Sequence, residues 1–188
     1  MKLLPLLAAT TIAATPVLGE DTRQLEAHEH GVGQLNIAFE AGQVAMEFHA
    51  PGADIVGFEH RAESSADRAA VDAAVAMLAR PLDLFVLPDA AGCSVAKAAA
   101  ALESEEEDHD DHAKDGHDEH EDEGGHTEFH AEYLLICADP SAVTTINFAY
   151  FNSFPNAWEV EVQLISEAGA AGFEVERDAP ILDLRGMF

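Results

Sequence analysis

Gln34-Leu35-Asn36-Ile37-Ala38-Phe39-Glu40-Ala41-Gly42-Gln43-Val44-Ala45-Met46-Glu47-Phe48-His49 decides the fold. Leu35, Ile37 and Phe39 alternate with polar or small residues, and Val44, Met46 and Phe48 do the same after Ala41-Gly42. A period of two marks half-buried strands, and a two-residue connection ending in glycine marks a tight antiparallel hairpin. Pairing Glu40 with Gln43 sets Leu35 beside Phe48, Ile37 beside Met46 and Phe39 beside Val44, all on one face. The opposite face then carries Gln34, Asn36, Glu47 and His49. Continued backwards, the same period adds His28 and His30 to that face, unless Gly31 and Gly33 host a bulge that resets the parity.

Downstream, Pro51-Gly52 ends the second strand, and Asp54 to His60 reads as a short helical or turn segment. Ser64 or Ser65 caps a helix running through Asp67, Arg68, Val71, Val75, Met77 and Leu78 to a stop at Arg80-Pro81. Leu84 to Leu87, Cys93 to Leu102, Tyr133 to Cys137, Thr144 to Tyr150, Trp158 to Ile165 and Phe173 to Glu176 are strand-like in their apolar and β-branched content. The expected fold is α+β, mainly antiparallel sheet with one or two helices. The aromatic segment Phe148, Tyr150, Phe151, Phe154 and Trp158 is read as core.

Between these elements lies a stretch of another kind. Glu103 to His130 holds 14 Asp or Glu, 6 His and one Lys among 28 residues. So few apolar groups do not offset the entropy of ordering, and the close carboxylates repel, which predicts a disordered loop over residues 103–128. The chain at large is also acidic, with 36 Asp plus Glu against 9 Lys plus Arg and a net charge of −27. A nucleic-acid partner requires a basic face to replace released counterions, and this composition supplies none. The apolar content of 48% is that of a globular chain. One domain spanning 20–188 is expected around the loop.

Residues 1–19 read as a secretory signal peptide. Lys2 forms the positive region, Leu3 to Ala14 the apolar run, and Val17-Leu18-Gly19 the small-residue cleavage site before Glu20. The run is shorter than the roughly 20 apolar residues of a membrane span, so no membrane insertion is expected after cleavage and the product is placed in the periplasm. Cys93 and Cys137, the only cysteines, lack C-x-x-C spacing. In an oxidising compartment they are expected to form a disulfide closing the base of the acidic loop.

Ten histidines carry the chemistry. His28, His30, His49 and His60 cluster early, and His109, His112, His117, His120, His126 and His130 fall in or beside the acidic stretch. Imidazole suits Zn, Cu and Ni, is mostly neutral near pH 7, and is accompanied here by carboxylate oxygens that attract cations. Inside the loop each bound ion must order flexible chain, which predicts modest affinity and variable stoichiometry. In the folded part, His28-Glu29-His30 places two imidazoles about 7 Å apart on one side of an extended segment. Tetrahedral zinc needs two further ligands, for which His60, His49, His126, His130, Glu29 and Glu59 are candidates. Gly31-Val32-Gly33 lacks the third glycine of a dinucleotide fingerprint, and no Walker loop, G-x-S-x-G or H-E-x-x-H occurs, so no enzyme is announced.

Three segments together carry a family likeness: Glu26 to Glu40, with its His28-Glu29-His30-Gly31; Pro51 to His60, with Gly57-Phe58-Glu59-His60; and the His/Asp/Glu insertion ending in Thr127 to Tyr133 before Cys137. The chain resembles the ZrgA-like periplasmic zinc-binding proteins. That resemblance implies a non-enzymatic periplasmic protein that binds Zn²⁺ and supports its uptake beside an ABC-type importer. It points to His28, His30 and His60 as ligands of a folded site, with His49 outside the pattern. Other readings are a periplasmic buffer that sequesters Zn, Cu or Ni, and a zinc hydrolase with Glu29 or Glu59 as general base.

Overall fold

The computed structural model describes residues 29–104 and 126–187. The expected signal peptide, His28 and the loop residues 105–125, with His109, His112, His117 and His120, lie outside the described residues.

The hairpin forms as its alternation predicts. β1 (Val32–Glu40) and β2 (Gln43–Pro51) pair antiparallel, with Glu40 opposite Gln43, Leu35 opposite Phe48 and Ile37 opposite Met46. Ala41 and Gly42 both take positive φ, +47° and +86°. This is the turn whose twist matches two adjoining strands. Leu35, Ile37, Phe39, Val44, Met46 and Phe48 are buried, while Asn36 and Glu47 face solvent.

After β2 come the one-turn α1 (Gly52–Val56) and the long helix α2 (Ser65–Leu78). Ser64 caps α2 with a reciprocal capping box: its Oγ accepts from Asp67 N–H, and the Asp67 carboxylate accepts from Ser64 N–H. The short α3 (Pro81–Leu84) leads into β3 (Phe85–Val86). β4 (Cys93–Ser104) and β5 (Thr127–Cys137) follow, then β6 (Thr145–Phe148), α4 (Tyr150–Ser153), β7 (Glu159–Ser166), β8 (Gly169–Glu176) and β9 (Ile181–Asp183).

Six strands form one sheet in the order β4-β5-β2-β1-β7-β8, and β3-β6-β9 form a smaller one. Every pairing is antiparallel except β1 with β7. The architecture is therefore the expected α+β arrangement on a mainly antiparallel sheet. Phe129, Ala131, Tyr133 and Leu135 of β5 and Val160, Val162 and Leu164 of β7 extend the buried face begun by the hairpin. Phe85, Phe148 and Tyr150 close over it, with Phe48 and Tyr150 edge to face at 5.1 Å.

Four expectations need correction. The stretch 103–128 is not loop throughout: β4 continues to Ser104 and β5 starts at Thr127, because Leu102 and Phe129 face one another in register and anchor both strand ends in apolar contact. The period of β1 does not continue back to His30. Gly31 adopts φ +92° in a turn, its N–H donating to both Asp54 carboxylate oxygens at 2.8 and 2.9 Å. Trp158 is not core like the other four aromatics but 64% exposed, packed over Gly31 with Arg177 5.1 Å from its ring centroid. Cys93 and Cys137 are disulfide-bonded as expected, but the bridge does not close the base of the acidic stretch: it ties the far end of the β4–β5 pair, while Ser104 and Thr127 pair at the end from which that stretch departs.

Candidate metal centre

The solvent face of the sheet takes its character from one strand pairing. β2 pairs with β5 so that His49 stands opposite His130 and Glu47 opposite Glu132. Alternation already puts Glu47 and His49 on one face of β2. On β5 the inward residues are Phe129, Ala131 and Tyr133, so Glu128, His130 and Glu132 point outward. Beyond β5, β4 sets Ala101 opposite His130 and Glu103 opposite Glu128. Three strands thus bring two imidazoles and four carboxylates to one patch, with Glu132 engaged by Lys97 at 2.9 Å.

Within the patch, the His49 and His130 rings stack with centroids 4.4 Å apart and planes inclined by 17°. Both turn Nε2 toward the same oxygen: Glu47 Oε1 lies 3.5 Å from His49 Nε2 and 3.4 Å from His130 Nε2. Their far sides are also held. His49 Nδ1 is 3.3 Å from Glu128 Oε2, and His130 Nδ1 is 3.3 Å from Glu103 Oε1. With Nδ1–H donating to a carboxylate, each neutral ring presents the lone pair of Nε2 toward Glu47. His130 Nε2 is buried and makes no hydrogen bond. An all-acceptor cluster containing such an orphaned atom has the chemistry to accept a cation.

The dimensions fit zinc. Zn–N and Zn–O bonds of about 2.0–2.1 Å at the tetrahedral angle place ligand atoms about 3.3–3.4 Å apart, close to the two Glu47 separations. Among the described residues, Glu47, His49 and His130 are the group offering three ligand atoms all within 4.8 Å of one another. Glu128 and Glu103 behind the rings reproduce the carboxylate–histidine–metal arrangement that fixes the tautomer and raises ligand basicity. Three protein ligands leave one tetrahedral position open.

Electrostatics agree with this arrangement. Partial burial alone pushes the Glu47 carboxyl up, but the hydrogen bond from Asn36 and, when their Nε2 atoms are protonated, the His49 and His130 imidazoles beside it hold it below its ordinary value. The hydrogen bond to Glu128 raises His49, against burial, with further support from the charges of Glu128 and Glu47.

The histidines nearer the N-terminus go elsewhere. His30 Nε2 lies 2.9 Å from Glu59 Oε1, and His126 Nδ1 lies 2.8 Å from Glu59 Oε2. His30 and Glu59 therefore meet, joined by His126. His60, their neighbour in sequence, is exposed: its ring stacks on Phe58 at 4.6 Å and its Nδ1 is 3.0 Å from Arg61 O. Glu47, Glu103 and Glu128 were not singled out as ligands or supports by the sequence. The only signal for Glu47 was its place beside His49 on the polar face of the hairpin.

Two imidazoles backed by carboxylates on the open face of a sheet form a histidine–carboxylate group that could hold a metal ion. The sequence profile of the ZrgA family zinc uptake proteins matches residues 27–184, and the chain belongs to that family. No curated protein matches the sequence. Among the described residues no helix is long and apolar enough to cross a membrane.

Proposed function

We infer that this protein binds Zn²⁺ in the periplasm, after removal of a signal peptide near Gly19, and supplies it to an ABC-type importer. The tight site is Glu47, His49 and His130, and the observation that carries it is the approach of both Nε2 atoms to Glu47 Oε1 at 3.5 and 3.4 Å, close to a tetrahedral edge, with all three ligand atoms within 4.8 Å of one another. The open fourth position suits a cargo ion, since a water or a donor from a receiving protein can occupy it without displacing a chain ligand. His109, His112, His117 and His120 of the acidic stretch collect further ions loosely. Membership in a zinc uptake family favours delivery over sequestration.

A hydrolytic role needs a general base beside a metal-bound water. Glu103 and Glu128 engage the Nδ1 side of the rings, away from Glu47, and Lys97 occupies Glu132. The arrangement therefore favours holding an ion over activating a water on it.

Competition with a chelator of known zinc affinity tests this reading on the full mature chain. His49→Ala with His130→Ala should abolish the tightest class of bound zinc while leaving the weak, multiple class. Tight binding unchanged in the double variant would overturn the assignment.

A further inference from the structure

Glu59 stands apart from that site yet repeats its chemistry. It lies in the loop after α1, with its side chain 14% exposed, and each carboxylate oxygen faces a different imidazole: Oε1 faces His30 Nε2 at 2.9 Å, Oε2 faces His126 Nδ1 at 2.8 Å. Oε1 is buried and, despite its closeness to His30, forms no hydrogen bond of acceptable geometry. Three segments distant in sequence are fixed around this carboxylate. The buried Asp54 carboxylate clamps the turn carrying His30 through Gly31 N–H. Gly52 packs closely against the Phe58 carbonyl and Thr127, the residues adjoining Glu59 and His126.

The donor set is again two imidazoles and a carboxylate, which suits zinc. Its geometry is looser. The oxygens of Glu59 diverge to separate rings, and His30 and His126 are 62% and 63% exposed. An ion must draw both rings inward and immobilise them, an entropic cost that the half-buried His49 and His130 largely avoid. The location is equally specific. His126 immediately precedes β5, and Glu128 and His130 follow on that strand, about 7 and 13 Å further along at a rise of about 3.3 Å per residue. The Glu59 group therefore stands between the end of the acidic stretch and the Glu47 group.

We propose that Glu59, His30 and His126 form a second Zn²⁺ site, weaker and faster-exchanging than the Glu47–His49–His130 site and placed to load it. The proposal takes the identity of the ion from the function inferred above, but its location rests on separate residues. Anomalous diffraction at the zinc edge, on crystals of the mature chain equilibrated with limiting and then excess zinc, tests it. The expected result is a peak at Glu47–His49–His130 under limiting zinc and an added peak at Glu59 under excess. Glu59→Gln should remove only the second peak and slow zinc transfer from a donor chelator about tenfold. His126→Ala, at an exposed position, repeats the test should Glu59→Gln disturb folding. A filled Glu47 site with no density at Glu59 under excess zinc would overturn the proposal. Density at Glu59 with none at Glu47 would overturn the ranking and loading role proposed here, and would sink the tight site assigned above.

Discussion

Glu128 holds His49 across 79 residues of chain, its Oε2 lying 3.3 Å from His49 Nδ1. Glu103 does the same for His130. Because these carboxylates touch the imidazoles and not the ion position, their removal separates orientation from ligation. Glu128→Gln or Glu103→Gln should weaken tight zinc binding by about 10–100-fold with the stoichiometry of that class unchanged. Calorimetry against a competing chelator reads both quantities. Loss of the whole class would show direct ligation instead.

The proton competes with zinc at His49. Its pKa is raised, chiefly by the hydrogen bond to Glu128, so zinc affinity should begin to fall at a pH above the ordinary imidazole value of about 6.5. Each displaced proton contributes at most tenfold per pH unit. Without zinc the sign reverses: the His49–Glu128 pair stabilises the fold fully below about pH 6.5, and the contribution is lost as pH rises through the raised value. Glu128→Gln should shift the midpoint of the zinc titration to lower pH. An unmoved midpoint would place the proton elsewhere.

Gly52→Ala tests how both groups are positioned. A Cβ there would lie 2.4 Å from Thr127 Oγ1, 2.8 Å from Phe58 O and 3.0 Å from Thr127 O. Two of these are backbone atoms that cannot rotate away, so overpacking should cost about 1–3 kcal/mol. Thr127 precedes Glu128, and Phe58 precedes Glu59, so zinc affinity should fall as well. Thermal unfolding and chelator competition measure the two effects. A variant of normal stability would show that this contact relaxes freely.

The disulfide serves stability and not the site. Cys93 and Cys137 close the end of the β4–β5 pair remote from His130, about 23 Å away along β5 at about 3.3 Å per residue. Reduction should remove about 4 kcal/mol in the chain-entropy model and lower the melting temperature by about 8–16 °C. Tight zinc binding by the reduced but folded protein should be unchanged at 20 °C. A large loss of affinity in that folded state would tie the bridge to the metal centre.

Much of the fold was legible from local pattern. The alternation of Leu35, Ile37 and Phe39 against Val44, Met46 and Phe48 fixed the hairpin register, since a slip by one residue would turn the whole apolar set to water. Ser64 and Asp67 marked the start of α2 because capping is satisfied within four residues. The candidate site was only half legible. Glu47 and His49 could be placed on one face, but nothing periodic reveals which remote strand lies beside them.

By itself, then, the sequence determined the β1–β2 hairpin, the polar face bearing Glu47 and His49, the acidic histidine-rich stretch and the pairing of its only two cysteines. Each of these follows from local sterics, side-chain alternation or simple counting. The tertiary structure alone decided that β5 pairs with β2, setting His130 against His49, and that the turn at Gly31 hands His30 to Glu59 while His60 stacks on Phe58. Those outcomes depend on how buried faces from distant segments pack together, and a residue's neighbours in the chain carry no record of that choice.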